Sequence, residues 1–146
     1  IRRASIDDAA SILALIEPLE QDGTLVHRSR ELLETEIHHF SVIERDGAII
    51  ACAALYPFAK TGQGELACLA VAINYRGGGR GEVMLKYIER RCKQLDLQSL
   101  FVLTTRTTHW FIEHGFINTA ITDLPVDRQS LYNFQRNSKA LLKSLN

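Results

Sequence analysis

Residues 65–95 read ELACLAVAINYRGGGRGEVMLKYIERRCKQL and contain the clearest structural signal in the chain. Their first part, Glu65 to Ile73, is an almost unbroken apolar run, as in strands that are buried on both faces. After a short turn, apolar residues recur at helical spacing with charged residues between them: Met84, Ile88, Cys92 and Leu95. This segment therefore predicts a central strand, a turn and an amphipathic helix.

The turn carries glycine at four of five positions: Gly77, Gly78, Gly79 and Gly81. Such a backbone can adopt positive φ and approach a bulky anion closely, and the following helix directs its N–H groups and partial positive charge toward that anion. The turn lacks the Gly-Lys-Ser/Thr of a P-loop and the GxGxxG pattern of a dinucleotide fold. A tight connection alone would need one glycine, so we predict that this turn holds a pyrophosphate.

Further elements are predicted on the N-terminal side of this segment. Residues 1–4 resemble a short strand, Ser5 can cap a first helix, and Ser29 opens a second one that extends to Phe40. Asp46-Gly47, between two apolar runs that end at Tyr56, is a strong hairpin signal.

On the C-terminal side the sequence predicts a strand at residues 100–104, a short helix at 108–114 and a strand at 116–121. The tail, residues 125–146, is polar and less periodic, and no strand is predicted there. Because there is no internal repeat or linker, we expect one α/β (α+β) domain over residues 1–146.

Composition excludes several classes of protein. Lys plus Arg equals Asp plus Glu at 17 each, so no broad basic surface is available for nucleic acid or an anionic membrane. Apolar runs such as Ile49 to Leu55 are too short to span a bilayer, and residues 1–3 do not begin a signal peptide. We expect a soluble cytoplasmic protein and, because no Met opens the chain, a fragment of a longer one.

The chain has three cysteines, Cys52, Cys68 and Cys92, without CxxC spacing. An odd number of scattered cysteines is typical of reduced thiols packed in a core, rather than of a disulfide framework or a zinc site. We therefore predict no metal site.

Arg76-x-x-Gly79-x-Gly81, on a strand-to-helix turn, is similar to the Arg/Gln-x-x-Gly-x-Gly/Ala motif of the GNAT acetyltransferases. Five blocks in order also resemble the C-terminal acetyltransferase domain of bacterial N-acetylglutamate synthases: residues 25–31, 52–55, 64–71, 110–116 and 136–138. The resemblance implies the GNAT fold, a mixed and mostly antiparallel central sheet flanked by helices. It implies acetyl transfer from acetyl-CoA to the α-amine of L-glutamate, the first step of arginine biosynthesis. It further implies a preceding amino-acid-kinase-like domain with arginine inhibition, which this sequence lacks.

The resemblance also implies catalytic roles on the central strand. Glu65 would be the general base for the substrate ammonium, although the residues alone fit an exposed acid at a strand end equally well. The backbone N–H of Cys68 would hold the acetyl carbonyl, while its thiol, which no motif pairs with a His, is expected to pack in the core. The implied cofactor-binding residues are Leu69, Ala70, Val71, Arg76, Gly77, Gly78, Gly79, Arg80 and Gly81.

For the acceptor, the resemblance implies that Arg28 and Arg136 bind the carboxylates of glutamate and that Ser138 donates a hydroxyl. Arginine can grip a carboxylate with two parallel hydrogen bonds, which suits a dicarboxylate. Without the resemblance, both arginines would be interpreted as exposed surface residues. His27 is a weaker candidate at the same place.

One position departs from the family pattern. Many GNAT enzymes have a Tyr as general acid where this chain has Phe111, so no phenol can protonate the departing thiolate. Thr105, His109 or water could act instead, or no acid is required, and we leave the acid unassigned. Phe111 and Trp110 are expected to pack the short helix on the sheet.

Three alternatives stay open at this point. One is an acetyltransferase for another amine, against which paired arginines argue. Another is a module that binds acetyl-CoA and an amino acid without turnover, which the missing Tyr favours and Glu65 disfavours. A binder of nucleic acid or phosphoprotein through Arg76 and Arg80 would need a broader basic face. The sequence leaves open whether the chain forms a homo-oligomer.

Overall fold

The computed structural model describes residues 1–129 and 138–145. These residues form seven strands: β1 (Arg2–Arg3), β2 (Phe40–Arg45), β3 (Ala48–Phe58), β4 (Gln63–Val71), β5 (Ser99–Thr104), β6 (Ile117–Thr119) and β7 (Lys139–Ser144). They also form five α-helices: α1 (Ala9–Gln21), α2 (Arg30–Thr35), α3 (Arg80–Gln94), α4 (Thr108–Glu113) and α5 (Val126–Gln129).

The strand order is β1-β2-β3-β4-β5-β7-β6. β4 and β5 run parallel, from Gln63 opposite Ser99 to Glu65 opposite Phe101. The pairs β1–β2, β2–β3, β5–β7 and β6–β7 are antiparallel. The sheet is thus mixed and mostly antiparallel, with helices flanking it, and the predicted fold class is confirmed.

The chain divides into two compact units, and β3, β4 and α3 each contribute residues to both. The first unit comprises residues 1–55 and 67–88. Its largest fully buried side chains come from α1, α2, β2 and α3: Ile12, Ile16, Leu33, Phe40, Val42, Met84, Leu85 and Ile88.

The second unit comprises residues 56–66 and 89–146. Its core includes Phe101 and Leu124, with Phe58 packed against them. The Phe58 and Phe101 rings lie 5.9 Å apart in a tilted arrangement. Pairing with β5 on one side and β6 on the other gives β7 an interior place in the sheet order.

Several element limits differ from those predicted. β4 begins at Gln63 and ends at Val71, so Ile73 lies in a 3-10 turn with 75% of its surface exposed. The second helix ends at Thr35, and Phe40 is instead a buried residue of β2, because a 3-10 turn at Ile37–His39 redirects the chain. The tail, where no strand was predicted, contains β7.

All three cysteines are free and buried, as predicted. Within the described parts of the chain, no helix is both long and apolar enough to cross a membrane.

Candidate functional site

The glycine-rich turn leads from β4 into α3. A 3-10 turn at Ile73–Tyr75 precedes it, and α3 begins at Arg80 with the N–H of Val83 donating to the carbonyl of Gly79 at 3.0 Å. The N–H groups of the first helical turn have no earlier carbonyl to bind within the helix, so they point toward the turn. The helix terminus thereby presents donors and partial positive charge to the glycines.

Gly77 and Gly79 have φ of +83° and +79°, in the left-handed region that favours glycine. A Cβ built at either position would meet nothing within 4 Å, so the space beside the turn is open. The turn thus combines two left-handed glycines, open space and a helix N-terminus, which are the features on which the prediction of a pyrophosphate site depends.

The arginines of the turn contact the turn itself. Arg76 Nε donates to the carbonyl of Val71 at 3.0 Å, which ties the turn to the end of β4. Arg80 Nη1 donates to the carbonyl of Tyr75 at 3.3 Å, and its guanidinium lies 4.8 Å from the centre of the Tyr75 ring. A Cβ on Gly78 would collide with Arg80 Nη1, so glycine at this position leaves room for Arg80.

Cys68 has φ of +57° in the middle of β4, an uncommon conformation for a residue with a Cβ. Strands bend and redirect their groups at such positions, which occur often beside active sites. The Cys68 carbonyl accepts a hydrogen bond from the Cys52 thiol at 3.4 Å, and both side chains are buried. The irregular backbone thus coincides with the residue whose N–H is the predicted carbonyl donor.

Arg28 lies close enough to Cys68 to act on it electrostatically. A hydrogen bond from Cys52 lowers the pKa of the Cys68 thiol against the opposing effect of burial, and the Arg28 guanidinium lowers it further. The contact with Cys68, together with complete burial, raises the pKa of the Cys52 thiol well above its usual value. The structure therefore brings a predicted carboxylate-binding cation to the part of β4 that includes Cys68.

The backbone of Arg28 is held on both sides. Its N–H donates to Glu20 Oε2 at 2.7 Å, and the next residue, Ser29, caps α2 by accepting the N–H of Leu32 at 3.1 Å. His27 is exposed, with Nδ1 3.4 Å from Glu20 Oε1. Sequence reasoning did not single out Glu20, because an acid at the end of an amphipathic helix carries no motif.

Glu65 is 8% exposed, so the alternative of an exposed acid at a strand end is wrong. Arg128 Nε donates to Glu65 Oε1 at 2.7 Å and Arg128 Nη2 donates to Oε2 at 3.3 Å, which makes the ion pair bidentate. Arg128 was not predicted. The sequence could have indicated such a residue only indirectly, because a carboxylate in a buried strand needs a cationic partner and loss of that partner strongly destabilises the fold.

The predicted residues from the C-terminal part of the chain lie in the second unit or outside the described residues. Ser138 is buried immediately before β7, whereas Arg136 lies outside the described residues. Phe111 is buried and packs edge-on against Trp110 and Phe116. His109 is exposed and pairs with Glu113 at 2.8 Å.

Within residues 1–129 and 138–145, no group of three or more His, Cys, Asp or Glu side chains could hold a metal ion. The second unit has a cavity of about 530 Å³ lined by residues 57–61 and 125–127. None of the predicted site residues that the structure describes lines that cavity.

Comparison with known proteins places these features in a family. The chain is 59% identical over 145 residues to an amino-acid acetyltransferase of Pseudomonas putida (strain GB-1), which covers 99% of this chain and 34% of that protein. The structure of N-acetylglutamate synthase from Neisseria gonorrhoeae complexed with coenzyme A and N-acetyl-glutamate matches with a TM-score of 0.96 and 43% identity. That match covers 99% of this chain and 34% of the other.

The structure of the Neisseria gonorrhoeae enzyme complexed with coenzyme A and L-arginine matches with a TM-score of 0.89 and 42% identity, over 99% of this chain and 32% of that one. This chain spans about a third of the length of the curated relatives it matches. Residues 8–116, which include the strand, the glycine-rich turn and α3, match the acetyltransferase (GNAT) family, and the chain belongs to that family.

Proposed function

We propose that this chain transfers the acetyl group of acetyl-CoA directly to the α-amine of L-glutamate, as a step of arginine biosynthesis. The observation that carries the proposal is the left-handed backbone of Cys68 in β4, the strand that leads into the glycine-rich turn, and the electrostatic effect of Arg28 on Cys68 supports it. The names of the relatives support it, since they include amino-acid acetyltransferases and an N-acetylglutamate synthase complexed with coenzyme A and N-acetyl-glutamate.

The glycine-rich turn is the proposed binding site for coenzyme A. Left-handed Gly77 and Gly79 leave open space in front of the first turn of α3, where a pyrophosphate would accept backbone hydrogen bonds. Arg76 and Arg80 would supply local positive charge that the neutral chain otherwise lacks. Leu69, Ala70, Val71, Gly78 and Gly81 complete the proposed cofactor-binding set.

For the chemistry, we propose that the backbone N–H of Cys68 donates to the thioester carbonyl oxygen and stabilises the negative charge that develops there. The left-handed conformation of Cys68 supports this role because it takes the N–H away from regular strand geometry. The thiol has no catalytic role in this mechanism, so acetyl passes to the amine without an acyl-enzyme.

Glu65 is the proposed general base. It would accept a proton from the glutamate ammonium, directly or through water, so that the neutral amine attacks the carbonyl carbon. A carbon–nitrogen bond forms, the carbon–sulfur bond breaks, and the coenzyme A thiolate leaves. The acetylated nitrogen then loses its second proton, and water can carry that proton to the thiolate. No side chain is assigned as the general acid, because Phe111 has no ionisable group.

Arg28, Arg136 and Ser138 are the proposed contacts for the two carboxylates of glutamate. Losing one bidentate contact to a bound charge costs about 2–5 kcal/mol. We therefore expect Arg28→Ala to raise the KM for glutamate far more than the KM for acetyl-CoA.

The test is thiol release from acetyl-CoA by this chain with L-glutamate, L-aspartate, L-glutamine, L-ornithine or no acceptor. Release with glutamate alone is the expected result. Thiol release with a different amine would show that this amine, rather than glutamate, is the acceptor. Acetyl-CoA binding without release under any condition would instead support a sensing module.

We also propose a longer enzyme to which this chain belongs and a location for it in the cell. The chain matches about a third of each relative, which supports its being the acetyltransferase part of a longer enzyme whose preceding amino-acid-kinase-like domain responds to arginine. The Neisseria gonorrhoeae enzyme has been solved with L-arginine. Three free buried thiols support a reducing location, the cytoplasm.

A further inference from the structure

We propose that Glu20 is a positioning residue for acceptor binding: its buried carboxylate fixes the backbone at Arg28. This inference rests on the proposed function, in which Arg28 binds a carboxylate of glutamate. Glu20 lies in the last turn of α1, and its side chain is 10% exposed.

Glu20 uses both carboxylate oxygens on the segment before α2. Oε2 accepts the Arg28 N–H at 2.7 Å, and Oε1 lies 3.4 Å from His27 Nδ1. The first distance is in the short range of hydrogen bonds to an ionised acceptor, which are about twice as strong as neutral ones. The carboxylate thus joins the end of α1 to the backbone at Arg28.

The rest of the loop after α1 is held at its other end. Thr24 N–H donates to Asp22 Oδ1 at 2.9 Å, and Leu25 N–H donates to the carbonyl of Leu19 at 3.0 Å. Arg28 Nη1 donates to the carbonyl of Val26 at 3.5 Å, and the contact to Glu20 holds the backbone N–H of Arg28. Without it, the segment between Leu25 and Ser29 would lose an anchor immediately before the α2 cap.

Glu20 and Arg28 both act on the same place in β4. The Arg28 charge lowers the pKa of the Cys68 thiol and the Glu20 charge raises it. Glu20 therefore lies near the proposed reaction centre, although its hydrogen bonds run to backbone and to His27. A site residue whose root is fixed loses less conformational entropy when the ligand binds, so removing the anchor should weaken acceptor binding.

The variants are Glu20→Ala, Glu20→Gln and, as a matched control, Glu17→Ala. Glu17 lies one turn earlier on α1, is exposed, and accepts a hydrogen bond from Gln21 at 3.3 Å. The measurements are kcat, the KM for glutamate, the KM for acetyl-CoA and the melting temperature of each variant.

We expect Glu20→Ala to raise the KM for glutamate about tenfold, the effect of one charge-assisted hydrogen bond, and the KM for acetyl-CoA less than twofold. Glu20→Gln retains an acceptor oxygen for the Arg28 N–H and should recover much of that loss. Glu17→Ala should match the unmodified chain.

An unchanged or lower KM for glutamate in Glu20→Ala and Glu20→Gln would overturn the positioning role, and so would equal increases in both KM values. If Glu20→Ala does not fold, Glu20→Asp, whose shorter side chain withdraws the carboxylate from the Arg28 N–H, decides between these outcomes through the same split of the KM values. Absence of glutamate-dependent thiol release from the unmodified chain would instead refute the proposed function, and the positioning role would be refuted with it.

Discussion

At the scale of single residues, a side chain at Gly79 would affect both the backbone conformation of the turn and the space that is open to a ligand. We expect Gly79→Ala to raise the Kd of acetyl-CoA about tenfold or more, because a methyl group would occupy the open space of the proposed pyrophosphate site. Left-handed φ would also make the substitution cost about 1 kcal/mol in stability. Calorimetric titration with acetyl-CoA measures the first effect.

Gly47 is a matched control for this experiment. It has φ of +81°, and a Cβ there would also meet nothing within 4 Å, but it lies in the β2–β3 hairpin turn. Gly47→Ala should therefore cost similar stability and leave acetyl-CoA affinity unchanged. Equal affinity losses in both variants would mean that strain, rather than the pyrophosphate site, explains the result for Gly79.

Arg128 is the second residue with a sharp test. Arg128→Ala leaves the Glu65 carboxylate buried without its bidentate partner, so we expect kcat to fall at least about tenfold. We expect the KM for acetyl-CoA to stay within about twofold, because this variant does not alter the glycine-rich turn. Steady-state kinetics with varied acetyl-CoA and glutamate separate the two constants.

The control for Arg128 is Arg106→Ala, which removes an exposed arginine of the same unit. Arg128→Lys adds a second comparison, since lysine keeps the charge and loses the bidentate geometry. An unchanged kcat in Arg128→Ala would mean that the ion pair between Arg128 and Glu65 has a structural role and does not contribute to catalysis.

Individual residues also show which parts of the candidate site could be predicted from the sequence and which could not. The glycines and Cys68 lie within one segment, residues 65–95, so the sequence alone could single them out as candidates. Glu20 and Arg128 act through partners that are 8 and 63 residues away, and no local pattern specifies such partners. The positive φ of Cys68 was equally inaccessible, because a strand pattern carries no information on a single irregular residue.

At the scale of elements, the entry to α1 should be sensitive to acid. Hydrogen bonds from Arg2, and then from the Ser5 N–H, lower the pKa of Asp8 from 3.8 to about 2. Asp8 binds Arg2 at 2.8 Å and 2.9 Å. A pKa that is lower in the folded state stabilises the fold above the unfolded value, and this contribution is lost as pH falls through the folded value.

We therefore expect Asp8→Asn to lower the free energy of unfolding by about 1 kcal/mol at neutral pH, a figure reduced because Arg2 is partly exposed. The difference between the variant and the unmodified chain should shrink between about pH 4 and pH 2. Urea unfolding across this range measures it. The neighbouring exposed Asp7→Asn is the control, and a difference that does not depend on pH would contradict the assignment.

Element limits show where sequence patterns are ambiguous. Phe40 fits the apolar stripe of the second helix, but a 3-10 turn intervenes and Phe40 begins β2. β7 was not predicted because residues 139–144 form a short segment in which apolar and polar residues do not alternate. Its strand conformation depends on pairing with β5 and β6. Helix and hairpin signals that depend on local chemistry, such as Asp46-Gly47, were sufficient to predict the corresponding elements.

At the scale of the whole molecule, the predicted mixed and mostly antiparallel sheet is confirmed, and so are the buried free thiols. Composition could exclude classes of partner, whereas it could not indicate that the chain packs as two compact units. That division depends on which residues meet in three dimensions, and β4 contributes Glu65 to one unit and Cys68 to the other.

The place of β7 has a consequence for synthesis on the ribosome. β5 and β6 both pair with β7, which follows them in the chain. While the polypeptide is being made, these two strands emerge first and keep open edges until residues 139–144 have left the exit tunnel. The nascent second unit is therefore exposed to edge-to-edge association in this interval, and a chaperone that covers strand edges would act during this step.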